Sequence, residues 1–232
     1  MCIAVIPARG GSKRIKNKNI KDFASKPILY YSITAAIESG LFSHVIVSTD
    51  SDDIAEVAEK YGAIAPFRRP AELSDDYTPT APVLMHAIDW AMENGINAKH
   101  ACCIYPTAPF VRPADLKEGF ELLTSKDAHS VLAVTTFPFP IQRALRINSK
   151  GFMEMFWPEH EMTRSQDLPE AYHDAGQFCW VNCKKFRKNN RMYSEETIPV
   201  TLPRNLVQDI DTLEDWEAAE VKFEILKKQS LI

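Results

Sequence analysis

Glycine is scarce, at 8 of 232 residues, which excludes a collagen-like or glycine-rich low-complexity chain. Two glycine signatures are missing as well. There is no G-x-x-x-x-G-K-[ST] P-loop and no G-x-G-x-x-G dinucleotide fingerprint. No apolar run approaches the roughly 18 residues of a membrane span. The Met1–Pro7 run is too short for a secretory signal, and basic residues follow rather than precede it. The cysteines (Cys2, Cys102, Cys103, Cys179, Cys183) are odd in number, two are adjacent, and none has metal-finger spacing. They suit a reducing, cytoplasmic setting better than a disulfide framework. Neither sign of charge dominates: 27 Lys+Arg oppose 31 Asp+Glu, a net charge of −4. That balance, with 45% hydrophobic residues, excludes a disordered chain and argues against a nucleic-acid binder with a broad basic face. The length admits one domain spanning residues 1–232, with a smaller appendage.

The charge that is present is unevenly placed. Arg9 to Lys26 carries seven basic residues and one acid, so this stretch is +6 and the remainder −10. A local cationic loop suits a small polyanion such as a nucleoside triphosphate. It follows Cys2–Ile6, a short apolar run ended by Pro7 that reads as a buried strand. Pro27–Ser39 reads as a helix, His44–Thr49 as a strand, Asp52–Tyr61 as a helix and Ala63–Phe67 as a short strand. Pro82–Asn94 (helix), Ala101–Tyr105 (strand), Pro113–Thr124 (helix) and Ser130–Thr136 (strand) continue the alternation. Gly40, Gly62 and Gly95 each follow a helix, where a left-handed cap is needed. Such alternation predicts an α/β fold with a mostly parallel sheet and right-handed crossovers.

After Phe137 the pattern changes. Ala144–Ile147 and Phe152–Phe156 flank Lys150-Gly151 as a hairpin, Trp157–Ala175 is polar and irregular, and Phe178–Cys183 is a strand. Residues 138–182 therefore read as an insert, a lid or a dimerisation arm. Pro199–Leu202 is a strand. Thr212–Lys228 is a helix with Leu213, Trp216, Ala219, Phe223 and Leu226 inward and Thr212-x-x-Asp215 as a capping box.

The strand–loop–helix order at residues 2–39 puts Arg9-Gly10-Gly11-Ser12-Lys13 at the carboxyl end of the first strand, where open α/β sheets bind ligands. A solvated lysine-rich loop is the competing reading. At the other end of the chain, Asp209 and Asp211 stand at i and i+2 before the last helix. In an extended segment such carboxylates point the same way and invite a cation. A helix cap by Asp211 or Thr212 is the plain alternative.

Ile6-Pro7-Ala8-Arg9-Gly10-Gly11-Ser12-Lys13, then Lys18-Asn19, resembles the nucleotide-binding loop of the sialic-acid-type cytidylyltransferases. The resemblance continues in register through Val47–Ser51, Arg68-Arg69-Pro70-Ala71-Glu72-Leu73, Pro106-Thr107-Ala108-Pro109 and Asp209-Ile210-Asp211, so it spans nearly the whole chain. It implies a Rossmann-like three-layer α/β fold of the nucleotide-diphospho-sugar transferase type, a homodimer and Mg2+ dependence. The implied reaction moves CMP from CTP to the anomeric hydroxyl of an α-keto acid sugar and releases pyrophosphate. Carried over residue by residue, Arg9, Ser12 and Lys13 match triphosphate positions, with Ala8, Gly11 and Lys18 in the same loop. Asn19 and Arg69 match positions near the nucleotide's sugar and base, and Thr78 and Thr80 fall where cytosine and substrate meet. A surface ion pair with Glu72 is the other reading of Arg69. Asp209 and Asp211 match the metal ligands. Arg9, Lys13 and Asp211 are then the catalytic candidates, with Asp211, or a metal-bound hydroxide it holds, as the candidate proton acceptor.

The sugar-binding half departs from the plain sialic acid enzymes. Tyr105 stands where they have Gln, and Gln142 where they have Lys. Tyr172-His173-Asp174-Ala175-Gly176-Gln177-Phe178 resembles the corresponding string of the pseudaminic acid branch. Tyr105, Gln142, Arg164, His173, Asp174 and Gln177 are the sugar-binding candidates, Arg164 for the carboxylate. Core placement of Tyr172, Phe178 and Trp180, and a dimer-interface ion pair for Arg164, are the alternatives. A nonulosonic acid, pseudaminic acid first and N-acetylneuraminate or legionaminate second, is the expected acceptor. A nucleotide-binding regulatory protein is the non-enzyme alternative. No nucleic-acid or membrane partner is expected.

Overall fold

The computed structural model describes residues 1–232. The chain opens with β1 (Cys2–Pro7), and the two-residue strands β2 (Asp22–Phe23) and β3 (Lys26–Pro27) pair just ahead of α1 (Ile28–Ser39). There follow β4 (His44–Ser48), α2 (Asp52–Lys60), α3 (Thr80–Glu93), β5 (His100–Ile104), α4 (Pro113–Ser125) and β6 (Ser130–Thr136). The hairpin β7 (Leu145–Ile147) and β8 (Met153–Met155) leads to β9 (Tyr172–Asn182), α5 (Cys183–Asn189), β10 (Thr197–Thr201) and α6 (Leu213–Lys228). One six-stranded sheet has the order β10-β6-β9-β5-β1-β4. Five of its strands run one way, and β9 runs against both neighbours, β5 and β6.

The strands β1, β4 and β5 are buried on both faces. On β1, Cys2, Ala4 and Ile6 join one core with Leu29 and Ile33 of α1, Ala58 of α2 and Leu116 of α4. Ile3 and Val5 point the other way, to Leu84, Ala87 and Ile88 of α3 and Phe186 of α5. This is the expected three-layer α/β/α arrangement. Layer contact is tight at Gly119 of α4, where a Cβ would lie 2.9 Å from Trp180 Cδ1. A third core joins Ile15 and Phe23 of the basic segment to Ile210, Trp216 and Phe223, so α6 clamps the loop after β1.

Several expectations need correction. Ala63–Phe67 makes only one isolated bridge to β4, Ile64 with Ile46, and a second, Arg68 with Thr49, lies just beyond both segments. Phe178–Cys183 is the inner part of a longer strand that begins at Tyr172. It ends at Asn182, whose side chain accepts from the Lys184 and Lys185 N–H groups and so starts α5. β9 is hydrogen-bonded into the main sheet, so the segment outside it is 137–171 rather than 138–182. Leu213 is exposed at the first turn of α6, whereas Trp216, Ala219, Phe223 and Leu226 are buried. No helix is long and apolar enough to cross a membrane.

Candidate active site

The loops after β1 and β5 diverge where the strand order switches, with β4 on one side of β1 and β5 on the other. That is the crevice in which open α/β sheets bind ligands. A cleft of about 550 Å³ occupies it, and of the nucleotide-binding and catalytic candidates it gathers Arg9, Ser12, Lys13, Lys18, Asn19, Arg69, Thr78, Thr80 and Asp211. Tyr105 lines it too, alone among the sugar-binding candidates. Ala8 is fully buried beneath the loop and is held by its N–H to the Ser48 carbonyl at 2.9 Å. Gly11 is solvent-exposed, with open space beside its Cα.

Local contacts set the loop's shape. The Gly10 N–H donates to Asp50 Oδ1 at 2.8 Å, and a Cβ on Gly10 would lie 3.1 Å from the Ser51 Cβ. A side chain at Gly10 would press on Ser51. Asn19 is 5% exposed and its Nδ2 donates to the Arg9 carbonyl at 2.9 Å, so it braces the loop from within. Lys18 reaches the Ile210 carbonyl at 2.7 Å and Asp211 Oδ1 at 3.5 Å, which ties the loop to the segment before α6. Lys21 lies over the Trp216 ring at 4.2 Å from its centroid.

Arg69 is 5% exposed, and its Nε donates to Ser74 Oγ at 3.1 Å. It makes no ion pair with Glu72, so the surface-pair alternative fails. Burial lowers its pKa. Thr78 Oγ1 donates to Asp75 Oδ1 at 2.6 Å, which folds the loop before α3. Opposite, Arg9 Nη1 donates to the Asp75 carbonyl and to Asp76 Oδ1, each at 2.7 Å, and Lys13 Nζ is paired with Asp76 Oδ2.

Asp211 lies in the cleft 3.0 Å from Arg14 Nη2. Thr212, not Asp211, caps α6, with its side chain accepting from the Asp215 N–H. Asp209 pairs with no cation. Partial burial, and then the charge of Asp211, push its carboxyl above the usual range. Its Oδ1 would be 4.0 Å from a Cβ on Gly176, which has φ +63 in the bulge of β9. No group of three or more His, Cys, Asp and Glu side chains is placed to hold a metal. Two coupled carboxylates, one without a counter-ion, fit a cation such as Mg2+ that takes its other ligands from phosphates and water.

The remaining sugar-binding candidates lie outside the cleft. His173 and Asp174 are on the outer half of β9, with His173 Nδ1 2.8 Å from the Asp174 carbonyl oxygen. Asp174 accepts from the Gly176 N–H at 2.8 Å and from the Tyr193 hydroxyl at 3.3 Å. Gln177 is 2% exposed and its Nε2 donates to the Leu206 carbonyl at 2.5 Å, a brace between β9 and the approach to Asp209. Gln142 and Arg164 are on the 137–171 arm. Gln142 Nε2 donates to the Pro169 carbonyl at 3.3 Å, and Arg164 pairs with Asp167 through two hydrogen bonds of 2.7 and 3.1 Å. Phe178 and Trp180 are core residues, while Tyr172 is exposed.

A second hollow of about 440 Å³ shares Thr80 and Tyr105 with the cleft and adds Leu132, Arg191, Met192 and Tyr193. Burial, followed by the nearby Asp174 charge, pushes the Tyr193 phenol up to about 12. Sequence reasoning missed Asp75, Asp76, Arg14 at Asp211, and Tyr193. The acidic pair directly follows the Arg68–Leu73 motif, which was its one readable signal. Tyr193 follows α5 in a stretch with no motif.

The arrangement is a polyanion cradle with the Asp211 carboxylate in its wall, while Asp209 lies outside the lining. A family model described as cytidylyltransferase matches residues 3–217. The chain belongs to the cytidylyltransferase family. A pseudaminic acid cytidylyltransferase of Campylobacter jejuni is 43% identical over 96% of this chain and 96% of its own. A CMP-N,N'-diacetyllegionaminic acid synthase of Legionella pneumophila is 30% identical over 99% of each chain. Among solved structures, a CMP:2-keto-3-deoxy-manno-octonic acid synthetase in complex with CTP superposes with a TM-score of 0.70 over 96% of this chain and 98% of its own, at 14% identity. The last likeness shows that this cytidylyltransferase shares its fold.

Proposed function

We propose that the protein transfers CMP from CTP to the anomeric hydroxyl of a nonulosonic acid, pseudaminic acid first, and releases pyrophosphate. The observation that carries this reading is the convergence of Arg9, Ser12, Lys13, Asn19 and Arg69 in one cleft that shares Thr80 and Tyr105 with a more apolar hollow. The 43% identity with a pseudaminic acid enzyme over nearly the full length of both chains favours that sugar over its relatives.

Attack on the α-phosphate builds negative charge on its non-bridging oxygens and on the leaving pyrophosphate. Arg9 and Lys13 offset that charge, and Ser12 offers a hydroxyl to the same oxygens. Arg69 and Asn19, both held rigidly, position the nucleoside. Tyr105, half-buried and lining both the cleft and the hollow, offers an aromatic ring in place of an amide and suits a sugar with fewer hydroxyls than N-acetylneuraminate. Asp209 and Asp211 would hold Mg2+, which supplies charge neutralisation on the phosphates when bound. Asp211 is our candidate to accept the proton of the attacking hydroxyl.

A homodimer is part of this proposal. The 137–171 arm carries Phe139, Ile147, Phe152 and Met153, all exposed in the single chain, and apolar surface of that kind favours association. Gln142 and Arg164 sit on the same arm, and pairing of two arms is the route by which they would meet a cleft.

Pyrophosphate release from CTP and Mg2+, measured with pseudaminic acid, legionaminate and N-acetylneuraminate in parallel, tests the reading. Turnover is expected to be fastest with pseudaminic acid. A clear preference for N-acetylneuraminate would refute the sugar assignment, and binding of CTP without turnover on any of the three would favour a regulatory protein.

A further inference from the structure

Asp76 has no side-chain partner except the two cations assigned to the triphosphate. Its carboxylate takes Arg9 Nη1 at 2.7 Å through one oxygen and pairs with Lys13 Nζ through the other. The same Arg9 nitrogen donates to the Asp75 carbonyl at 2.7 Å. The loop is built to present this group. Asp75 Oδ1 accepts from the Tyr77 N–H at 3.0 Å, the Thr78 N–H at 2.6 Å and the Thr78 hydroxyl at 2.6 Å, closing a tight turn around Asp76. Asp75, Asp76, Arg9 and Lys13 all line the cleft.

We propose that Asp76 is a counter-ion latch: it occupies the two triphosphate cations in the ligand-free enzyme, and an incoming polyphosphate must displace it and the 74–79 loop to bind. The inference rests on the reading of Arg9 and Lys13 given above. The carboxylate does for the empty site what a phosphate does for the loaded one, since it keeps two like charges on one loop from repelling each other out of position. Exposed ion pairs are individually weak, so a ligand with several negative charges displaces the latch readily. A ligand without phosphate never meets it. The hydrogen bonds from Lys13 and Arg9 in turn hold the Asp76 carboxyl below its ordinary range.

Calorimetric titration of the wild type and Asp76→Asn with CTP, pyrophosphate and cytidine, in the presence of a metal chelator, tests this. Loss of two exposed pairs should tighten CTP and pyrophosphate binding by about three- to tenfold and leave cytidine unchanged. Asp76→Ala should move the same way, which separates the effect from any hydrogen bond Asn retains. Equal or weaker polyphosphate binding in both variants overturns the latch while leaving the cradle reading intact. If neither wild type nor variants bind CTP or pyrophosphate, with the chelator or with Mg2+ in its place, the cradle reading itself fails and the latch with it.

Discussion

Asp209 and Asp211 stand two residues apart and differ in every contact. Asp211 is in the cleft, held by Arg14 at 3.0 Å and Lys18 at 3.5 Å. Asp209 has no cation, and burial with the Asp211 charge pushes its carboxyl up. Spacing alone left a choice between helix cap and cation site. Thr212 takes the cap, and this frees Asp211 to face the nucleotide loop. Asp211→Ala should leave CTP affinity within about tenfold while kcat falls on the order of a hundredfold or more, the usual cost of removing a group that stabilises the transition state. Equilibrium binding and steady-state pyrophosphate release check the two halves separately, and normal turnover would remove Asp211 from the chemistry.

At the scale of elements, the helices and most strands follow from local chemistry. Thr212 and Asp215 form a reciprocal capping box at α6, readable as Thr-x-x-Asp. Hydrogen bonds from the Thr212 side chain and then the Thr212 and Asp211 N–H groups hold the Asp215 carboxyl below its usual range. A lowered native value means that ionisation stabilises the fold above the unfolded value, about 3.9. That contribution is lost as pH falls through the lower native one. Asp215→Asn should therefore melt below wild type at neutral pH, with the gap closing in strong acid, as thermal denaturation across pH will check. The misread elements have equally local causes. The outer half of β9, Tyr172–Ala175, is too polar to signal a strand, yet it pairs with β6. No helix is expected from the sequence after β9, where the Asn182 side chain caps α5. Leu213 fits the inward stripe of α6 by spacing, but it lies at the first turn, beyond the edge of the core.

Two features of the whole molecule decide function. The third core joins Ile15 to Ile210 and Trp216, so the two ends of the chain meet at one cleft. The 137–171 arm, in contrast, packs little of its own apolar surface: Ile147 is 72% and Phe152 68% exposed. Under the proposed homodimer, Ile147→Asp with Phe152→Asp should give a monomer with the cleft intact. Light scattering at several concentrations measures the first effect and CTP binding the second. An unchanged dimer would move the interface elsewhere on the surface. Loss of turnover together with dimerisation would agree with Gln142 and Arg164 acting across the dimer.

By itself the sequence determined the alternation of strands and helices, the cationic loop after the first strand, the last helix with its cap, and motifs specific enough to place the chain among cytidylyltransferases. Each is a local pattern of periodicity, capping or spacing, and local patterns are written in neighbouring residues. Only the tertiary structure decided that β9 runs backwards between β5 and β6, that Gln177 is a buried brace, that Gln142 and Arg164 stand away from their own chain's cleft, and that Asp76 closes on Arg9 and Lys13. Those contacts join residues far apart in the chain. A carboxylate in a sequence carries no mark of which cation it will meet; the packing of α6 and the turn at Asp75 make that choice.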